Sequence, residues 1–457
     1  MSFWFAFVPA ASLLGLLLTL NAWRPIAKPF PIAVVAFFAS WLTTELAGYH
    51  AAVQALVGAM ALSSRSAGSS LGLVAAIVSF GSCAALVVLH LRSGHARSRV
   101  DAALRDALGE GHTERVAPEL RDWLRPVSRW RLFFPFALGH ADVETTRNVP
   151  FHYAGAKRIA LKLDVHRHRA HPRRAPTLVY IHGGAWVLGF RERQGLPLLR
   201  HLAARGWVCF SIDYRLSPGA TFPEHLEDVK RALAWVRSHA DEYGADPDFL
   251  VVCGNSCGAH LASLAALTPN DPRYQPGFEE AETSVAGCIG LYGVYDLFDR
   301  NHDAQNGSMQ RVLERWVMKA SPAAAPEAYA AGSPIDRIHP AAPPFLLIHG
   351  DRDTIAPARG SHRFAEALRA VSTAPVAYVE VPDAQHAFEI FASPRAAHVV
   401  AGATSFLADV YSRYLENVRA EEEASAGRPR SGFVTRGEGT EGEGEGSQGR
   451  KGATTAA

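Results

Sequence analysis

The sequence predicts an α/β protein: a mostly parallel sheet with helices on both faces, preceded by an N-terminal block of transmembrane helices. Three observations carry this. Only four of the first 91 residues are charged (Arg24, Lys28, Glu45 and Arg65), whereas the 457-residue chain holds 46 Lys and Arg and 44 Asp and Glu. From about residue 140, short runs rich in Val, Ile and Leu alternate with stretches of helical spacing, as expected of parallel strands joined by crossover helices. A GxSxG motif falls at one strand-to-helix junction, residues 254–258. The expected divisions are a transmembrane block at 1–91, an amphipathic connector at 92–139, an α/β domain at 140–420 with an insertion at about 298–340, and a tail at 421–457.

The apolar block comes first. Residues 2–20 and 71–91 are uncharged apolar runs, each close to the ~20 residues that a span requires. A second run, from 32 to about 48, contains Glu45 and continues through 51–62. Three spans are expected, with four as the alternative. Glu45 is read as lying near the interface, beside Tyr49 and His50. Residues 1–7 carry no basic residue, so the first run reads as a span rather than a cleaved leader. Arg24 and Lys28 lie in the first loop, Arg65 alone in the second, and Arg92, Arg97, Arg99 and Arg105 after the third run. With three spans, this bias predicts a multi-pass protein of the cell membrane with a cytoplasmic C-terminal domain. A fourth span would reverse the N-terminus and keep 92–105 inside.

The connector has helical spacing at 100–108. Trp123, Trp130 and the run 132–136 are interleaved with Arg121, Arg125, Arg129 and Arg131. This suits either an element lying on a membrane surface or one packed on the α/β domain. Beyond it, residues 158–166 alternate apolar and polar, as a half-buried strand does. The runs 177–181, 207–212, 249–253, 287–291, 344–348 and 376–381 read as strands covered on both faces. Helices are expected at 224–243, 259–267, 361–371 and 394–414. The long insertion, with a helical piece around 309–318, would lie over the C-terminal edge of the sheet like a lid. The tail, with nine Gly, is expected to be disordered.

Composition narrows the function. A net charge of +2 gives no electrostatic case for a nucleic-acid partner. Five cysteines with no CxxC pair argue against a disulfide framework and against a metal site. Cys253 and Cys257 read as packing residues. The run His166-Arg167-His168-Arg169-Ala170-His171 reads as a solvated basic hairpin loop.

The chemistry gathers at the GxSxG. Gly254-Asn255-Ser256-Cys257-Gly258 follows a strand and opens a helix, the context of a nucleophile elbow, where glycines permit strand and helix nearly to touch. A serine hydroxyl needs a base, and the base needs an acid. In this architecture the chain order is Ser, acid, His. Asp353, in His349-Gly350-Asp351-Arg352-Asp353, and His386, in Pro382-Asp383-Ala384-Gln385-His386, follow consecutive strands. Asp351 is the competing acid. His349 is expected to support its loop, and His260 to be structural. His182-Gly183-Gly184-Ala185-Trp186 follows the strand at 177–181. The amides of Gly183, Gly184 and Cys257 are the expected oxyanion donors. Trp186 lines an acyl pocket or simply packs, and Asp213 and Arg215 are expected to brace the oxyanion loop.

On these residues (His182–Trp186, Asp213-Tyr214-Arg215-Leu216, Gly254–Gly258, Asp353 and His386) the chain resembles the α/β-hydrolase superfamily, specifically the hormone-sensitive-lipase-like carboxylesterases. With its apolar N-terminus it is similar to membrane-anchored actinobacterial lipases and esterases. The resemblance covers about 140–415. The oxyanion motif has Ala185 where that family usually has a third Gly. The elbow reads Asn-Ser-Cys rather than Asp-Ser-Ala. These variants also look like arylformamidases and prenylcysteine methylesterases. The resemblance implies a serine carboxylesterase or lipase acting on a small-molecule or lipid ester, with no metal or organic cofactor. The alternatives are a formamidase, a prenylcysteine methylesterase and, in another class, a catalytically silent membrane scaffold.

Overall fold

The computed structural model describes residues 3–63, 70–127, 129–303 and 307–426. The expected disordered tail lies, from 427 onward, outside the described residues. The described residues up to Tyr414 form one compact unit.

Four apolar helices open the chain: α1 (Phe3–Trp23), α2 (Phe30–Glu45), α3 (Ala47–Ser63) and α4 (Ser70–Arg92). Among the described residues, two helices are long and apolar enough to cross a membrane, one ending at Trp23 and one beginning at Ser70. The ambiguous second run has a physical explanation. α2 and α3 meet the same criterion only as a pair, and they are bent by 90° at Leu46. Small side chains let these helices approach closely. Ala61, Ala75 and Ala76 pack with Val8 and Val57, and Ser79 Oγ donates to Ser12 Oγ at 2.9 Å.

The connector begins with α5 (His95–Leu108). Its buried stripe is Ala96, Val100, Leu104 and Leu108, a four-residue spacing that keeps one face inward. Val100 packs so closely on Gly402 that a β-carbon there would come within 2.1 Å of it. Trp123 lies 5.4 Å from the Trp207 ring and stacks on Tyr411 at 5.8 Å. These parts of the connector pack on the α/β domain. Trp130, Phe133, Phe134 and Phe136, by contrast, are exposed.

Among the described residues the sheet has eight strands: β1 (Val143–Ala154), β2 (Ile159–His168), β3 (Ala175–Ile181), β4 (Val208–Ile212), β5 (Ala245–Asn255), β6 (Gly287–Leu291), β7 (Phe345–Gly350) and β8 (Val376–Val381). Their order is β1-β2-β4-β3-β5-β6-β7-β8. β1–β2 and β2–β4 pair antiparallel, and every other pair is parallel. β3, β4, β6 and β7 are buried along their whole length, as parallel strands covered by helices on both faces must be.

The helices of this domain are α6 (Leu196–Ala203), α7 (Glu224–Ser238), α8 (Ala240–Tyr243), α9 (Cys257–Leu267), α10 (Ser308–Val312), α11 (Pro326–Ala331), α12 (Ala358–Val371) and α13 (Pro394–Ala426). The insertion at 298–340 carries α10, a π-helical turn at Leu313–Val317, and α11. Leu313, Val317, Met318 and Tyr329 join the main core, so the insertion is seated on the domain through buried apolar side chains.

One expectation needs correction. His166 is not in a solvated loop: it belongs to β2, is buried, and its Nδ1 lies 2.9 Å from Thr145 Oγ1. Glu45 is buried at the end of α2, where Oε2 accepts from Ser393 Oγ at 2.6 Å and Oε1 lies 3.6 Å from Arg395 Nη1. The paired charge offsets part of the cost of removing this carboxyl from water.

Candidate active site

β5 ends at Asn255 and α9 starts at Cys257, leaving Ser256 alone at the turn. Its backbone is left-handed, with φ 55° and ψ −123°. Both flanking glycines are sterically required. A β-carbon on Gly254 would come within 2.3 Å of the Gly258 carbonyl oxygen, and one on Gly258 within 2.1 Å of the Ile181 oxygen. The turn holds because β3, β5 and α9 touch at these two points.

Asp353 lies in the turn after β7, and His386 in the segment after β8. Parallel neighbours deliver both to the same sheet edge as Ser256. His386 Nε2 lies 3.0 Å from Ser256 Oγ, and His386 Nδ1 lies 2.5 Å from Asp353 Oδ2. Asp353 Oδ1 accepts the amides of Ile355 and Ala356, each at 2.8 Å. His349 Nε2 faces two acceptors, Asp353 Oδ2 at 3.1 Å and the Ala356 carbonyl at 2.6 Å, while its Nδ1 lies 2.6 Å from Ser361 Oγ. These neighbours favour the tautomer protonated at Nε2. Burial alone would raise the Asp353 carboxyl. The facing His386 and the hydrogen bonds from both imidazoles outweigh it and hold the group well below the usual carboxylate range. Asp351, the rival acid, is not part of this chain of contacts; burial and the nearby Asp383 carboxylate push it up to about 6.

The His182–Trp186 segment lies against the elbow. A β-carbon on Gly183 would come within 3.1 Å of Ser256 Cβ. Gly184, Ala185 and Trp186 all have positive φ, at 131°, 53° and 60°. The sequence assigned the Gly183 amide to an oxyanion, but it donates to Gln194 Oε1 at 2.8 Å. That side chain comes from eleven residues downstream, and nothing local in the sequence announces it. The Trp186 amide donates to Cys257 Sγ at 3.2 Å, so the elbow cysteine braces the loop from below. Trp186 itself is fully buried, edge-on to His260 at 5.0 Å. His260 Nε2 reaches the Gly332 carbonyl at 2.6 Å and so ties α9 to the insertion.

The bracing of this loop differs in part from expectation. Asp213 Oδ2 accepts from Arg191 Nη1 at 2.6 Å. Arg215 instead turns to α7, with Nε donating to Asp228 Oδ2 at 2.7 Å. Tyr214, to which the sequence reading gave no role, braces the loop instead: its hydroxyl donates to the His182 carbonyl at 3.0 Å and its ring stacks on His182 at 4.5 Å.

Sequence reading missed a second network. Asn255 Nδ2 donates to Tyr292 Oη at 3.0 Å, and Tyr292 Oη donates to Glu389 Oε2. The Tyr292 ring lies 4.5 Å from that of His386. Burial raises the Glu389 carboxyl to about 7, against the opposing Tyr292 hydrogen bond.

Comparison with known proteins bears on this site. The BD-FAE family model matches residues 163–368. The chain is 39% identical over 400 residues to the probable carboxylic ester hydrolase LipM of Mycobacterium tuberculosis, covering 86% of this chain and 91% of LipM. It is 42% identical over 270 residues to the esterase LipQ of the same organism, covering 59% of this chain and 63% of LipQ. Among solved structures, the butyrate-bound esterase Est2 of Thermogutta terrifontis is 25% identical with a TM-score of 0.47, covering 62% of this chain and 98% of that one.

Proposed function

Because the chain belongs to the α/β-hydrolase family of carboxylic ester hydrolases represented by LipM and LipQ, we propose that it is a serine esterase that cleaves acyl esters through an acyl-enzyme. Ser256 attacks the acyl carbonyl. His386 removes the hydroxyl proton through Nε2 and returns it to the departing alcohol. Asp353 holds His386 with Nδ1 protonated, so that Nε2 is left to accept. A water activated by the same imidazole then releases the acid. The developing oxyanion is held by the amides of Cys257 and Gly184, with Gly183 supplying the glycine contact beside Ser256 and its own amide held by Gln194. Trp186 acts as packing beneath the loop.

One observation carries this reading: the unbroken series from Asp353 through His386 to Ser256, with contacts of 2.5 and 3.0 Å. The helices ending at Trp23 and beginning at Ser70 support membrane anchoring. The Lys and Arg bias of the loops supports a cytoplasmic domain. An anchored site sits beside a reservoir of lipid esters, which favours an apolar acyl group.

The test is fluorophosphonate labelling of the full chain in detergent, followed by kcat/KM for acyl esters of rising length and for a formanilide. Labelling that is lost in Ser256→Ala, with preference for esters, is expected. A folded protein that does not label, or labels equally as Ser256→Ala, refutes the serine mechanism and leaves the scaffold reading. Preference for the formanilide moves the reaction to amide hydrolysis.

A further inference from the structure

The segment that carries His386 is enclosed by the apolar N-terminal helices. Phe37, Trp41 and Glu45 recur every four residues on α2 and so share one face. All three meet this segment. The Phe37 ring lies 6.4 Å from the His386 imidazole, edge to face. Trp41 Nε1 donates to the Ala387 carbonyl at 2.9 Å, and its indole stacks on Phe391 at 4.7 Å. Glu45 accepts from Ser393. From α4, Arg92 grips Asp383 with two donors, Nε to Oδ2 at 2.8 Å and Nη2 to Oδ1 at 3.2 Å. Arg352, which also pairs with Asp383, donates to the Ala22 carbonyl at the end of α1.

The backbone explains why such a grip is needed. Asp383 and Ala387, on either side of His386, have φ of 60° and 63°. Left-handed backbone strains a non-glycine residue, and it persists only where the surroundings over-determine it. Trp41 binds the carbonyl of one strained residue and Arg92 the side chain of the other. Both anchors therefore lie in the apolar helices, outside the α/β domain. The Ala387 carbonyl also accepts the Ile390 amide at 3.3 Å, and among the described residues Trp41 is its one side-chain partner.

We propose that the apolar helices are a positioning element of the active site: Trp41 on α2 and Arg92 on α4 hold the His386 segment in register with Ser256. This rests on the reading of His386 as the base. The catalytic rate is then coupled to the seating of the N-terminal helices, and the α/β domain without them carries a misplaced imidazole.

The experiment uses the full chain in detergent micelles. Trp41→Phe keeps the aromatic stack and removes only the N–H donor. Arg92→Met removes the grip on Asp383, and Arg92→Lys restores its charge. Val35→Ala, on the exposed side of α2, is the control. Active sites are titrated with a fluorophosphonate, and kcat and KM for a short soluble ester are expressed per titrated site. Trp41→Phe and Arg92→Met are expected to lower kcat per site about tenfold with KM within about twofold, and to slow fluorophosphonate inactivation by the same factor, since displacement of a reacting group acts on the chemical step. Arg92→Lys recovers part of the loss and Val35→Ala changes nothing. Unchanged kcat per site in Trp41→Phe overturns the proposal, whether or not Arg92→Met folds. Loss of labelling in the unmutated protein would instead refute the serine mechanism, so the two failures are distinct.

Discussion

Asp353→Asn tests the proposed acid most sharply, because the structure dictates how the amide would sit. Asp353 Oδ1 accepts two backbone amides, from Ile355 and Ala356, at 2.8 Å each. Only an oxygen can accept them, so the Asn oxygen is fixed on that side. The Asn NH2 then occupies the place of Oδ2, 2.5 Å from His386 Nδ1. A donor there favours the imidazole with Nδ1 unprotonated and the proton on Nε2. That nitrogen faces Ser256 Oγ at 3.0 Å, and once protonated it cannot take the serine proton. The same NH2 also confronts the Nε2–H of His349. The shape of the site is retained while the tautomer is wrong, a change that costs about 10⁴-fold in kcat in the Ser-His-Asp triad of a serine protease, or about 5 kcal/mol of barrier. The assay is kcat on a short acyl ester, with circular dichroism confirming the fold. Retention of more than about a tenth of the activity would refute the argument that Asp353 sets the state of His386.

Two further outcomes follow from single positions. Gly258→Ala forces a β-carbon to 2.1 Å from the Ile181 oxygen, and a denaturant melt should show a loss of about 3 kcal/mol or failure to fold; a stable, active variant would refute the close approach of α9 to β3. Glu389→Gln changes how stability depends on pH. Burial raises the native carboxyl from 4.5 to about 7, so between these values the native state keeps a proton that the unfolded chain has released. Native stability therefore falls as pH rises through this window and levels off above it. The variant lacks this term, and its stability relative to the unmutated protein should increase by about 3 kcal/mol between pH 4.5 and pH 8; parallel urea-melt curves at the two pH values would contradict it.

What the sequence could reveal depended on how local each signal was. β6 lies at 287–291 as read, because a buried central strand is a continuous apolar run. β1 went unseen. It is an edge strand with Pro150, a left-handed Asn148 and register shifts against β2, so no alternation survives to be read. α6 is only eight residues long, too short for a periodic signal. The convergence of Ser256, Asp353 and His386 was legible because elbow glycines and chain order constrain their placement. The capture of the Gly183 amide by Gln194, the turning of Arg215 to α7 and the meeting of Glu45 with Arg395 were not legible. Each depends on a partner chosen by tertiary packing. The stripe Phe37, Trp41, Glu45 was visible as spacing, but an apolar helix offers no contrast by which one aromatic face stands out.

Two buried carboxyls flank the His386 imidazole, and their surroundings drive them apart. Asp353 receives two backbone amides and faces two imidazoles, so ionisation is compensated on every side. Glu389 is equally buried but is met mainly by the Tyr292 hydroxyl and, at 3.5 Å, the Asn255 amide. One neutral hydroxyl cannot replace the hydration of a carboxylate, and the group rises to about 7. The difference gives each a separate role. In the proposed mechanism, a charged Asp353 would stabilise an imidazolium at His386, and a Glu389 held neutral below about pH 7 would not compete for that proton. Through Tyr292, Glu389 links Asn255, the residue before Ser256, to the segment that carries His386, so the two halves of the site share one hydrogen-bonded support.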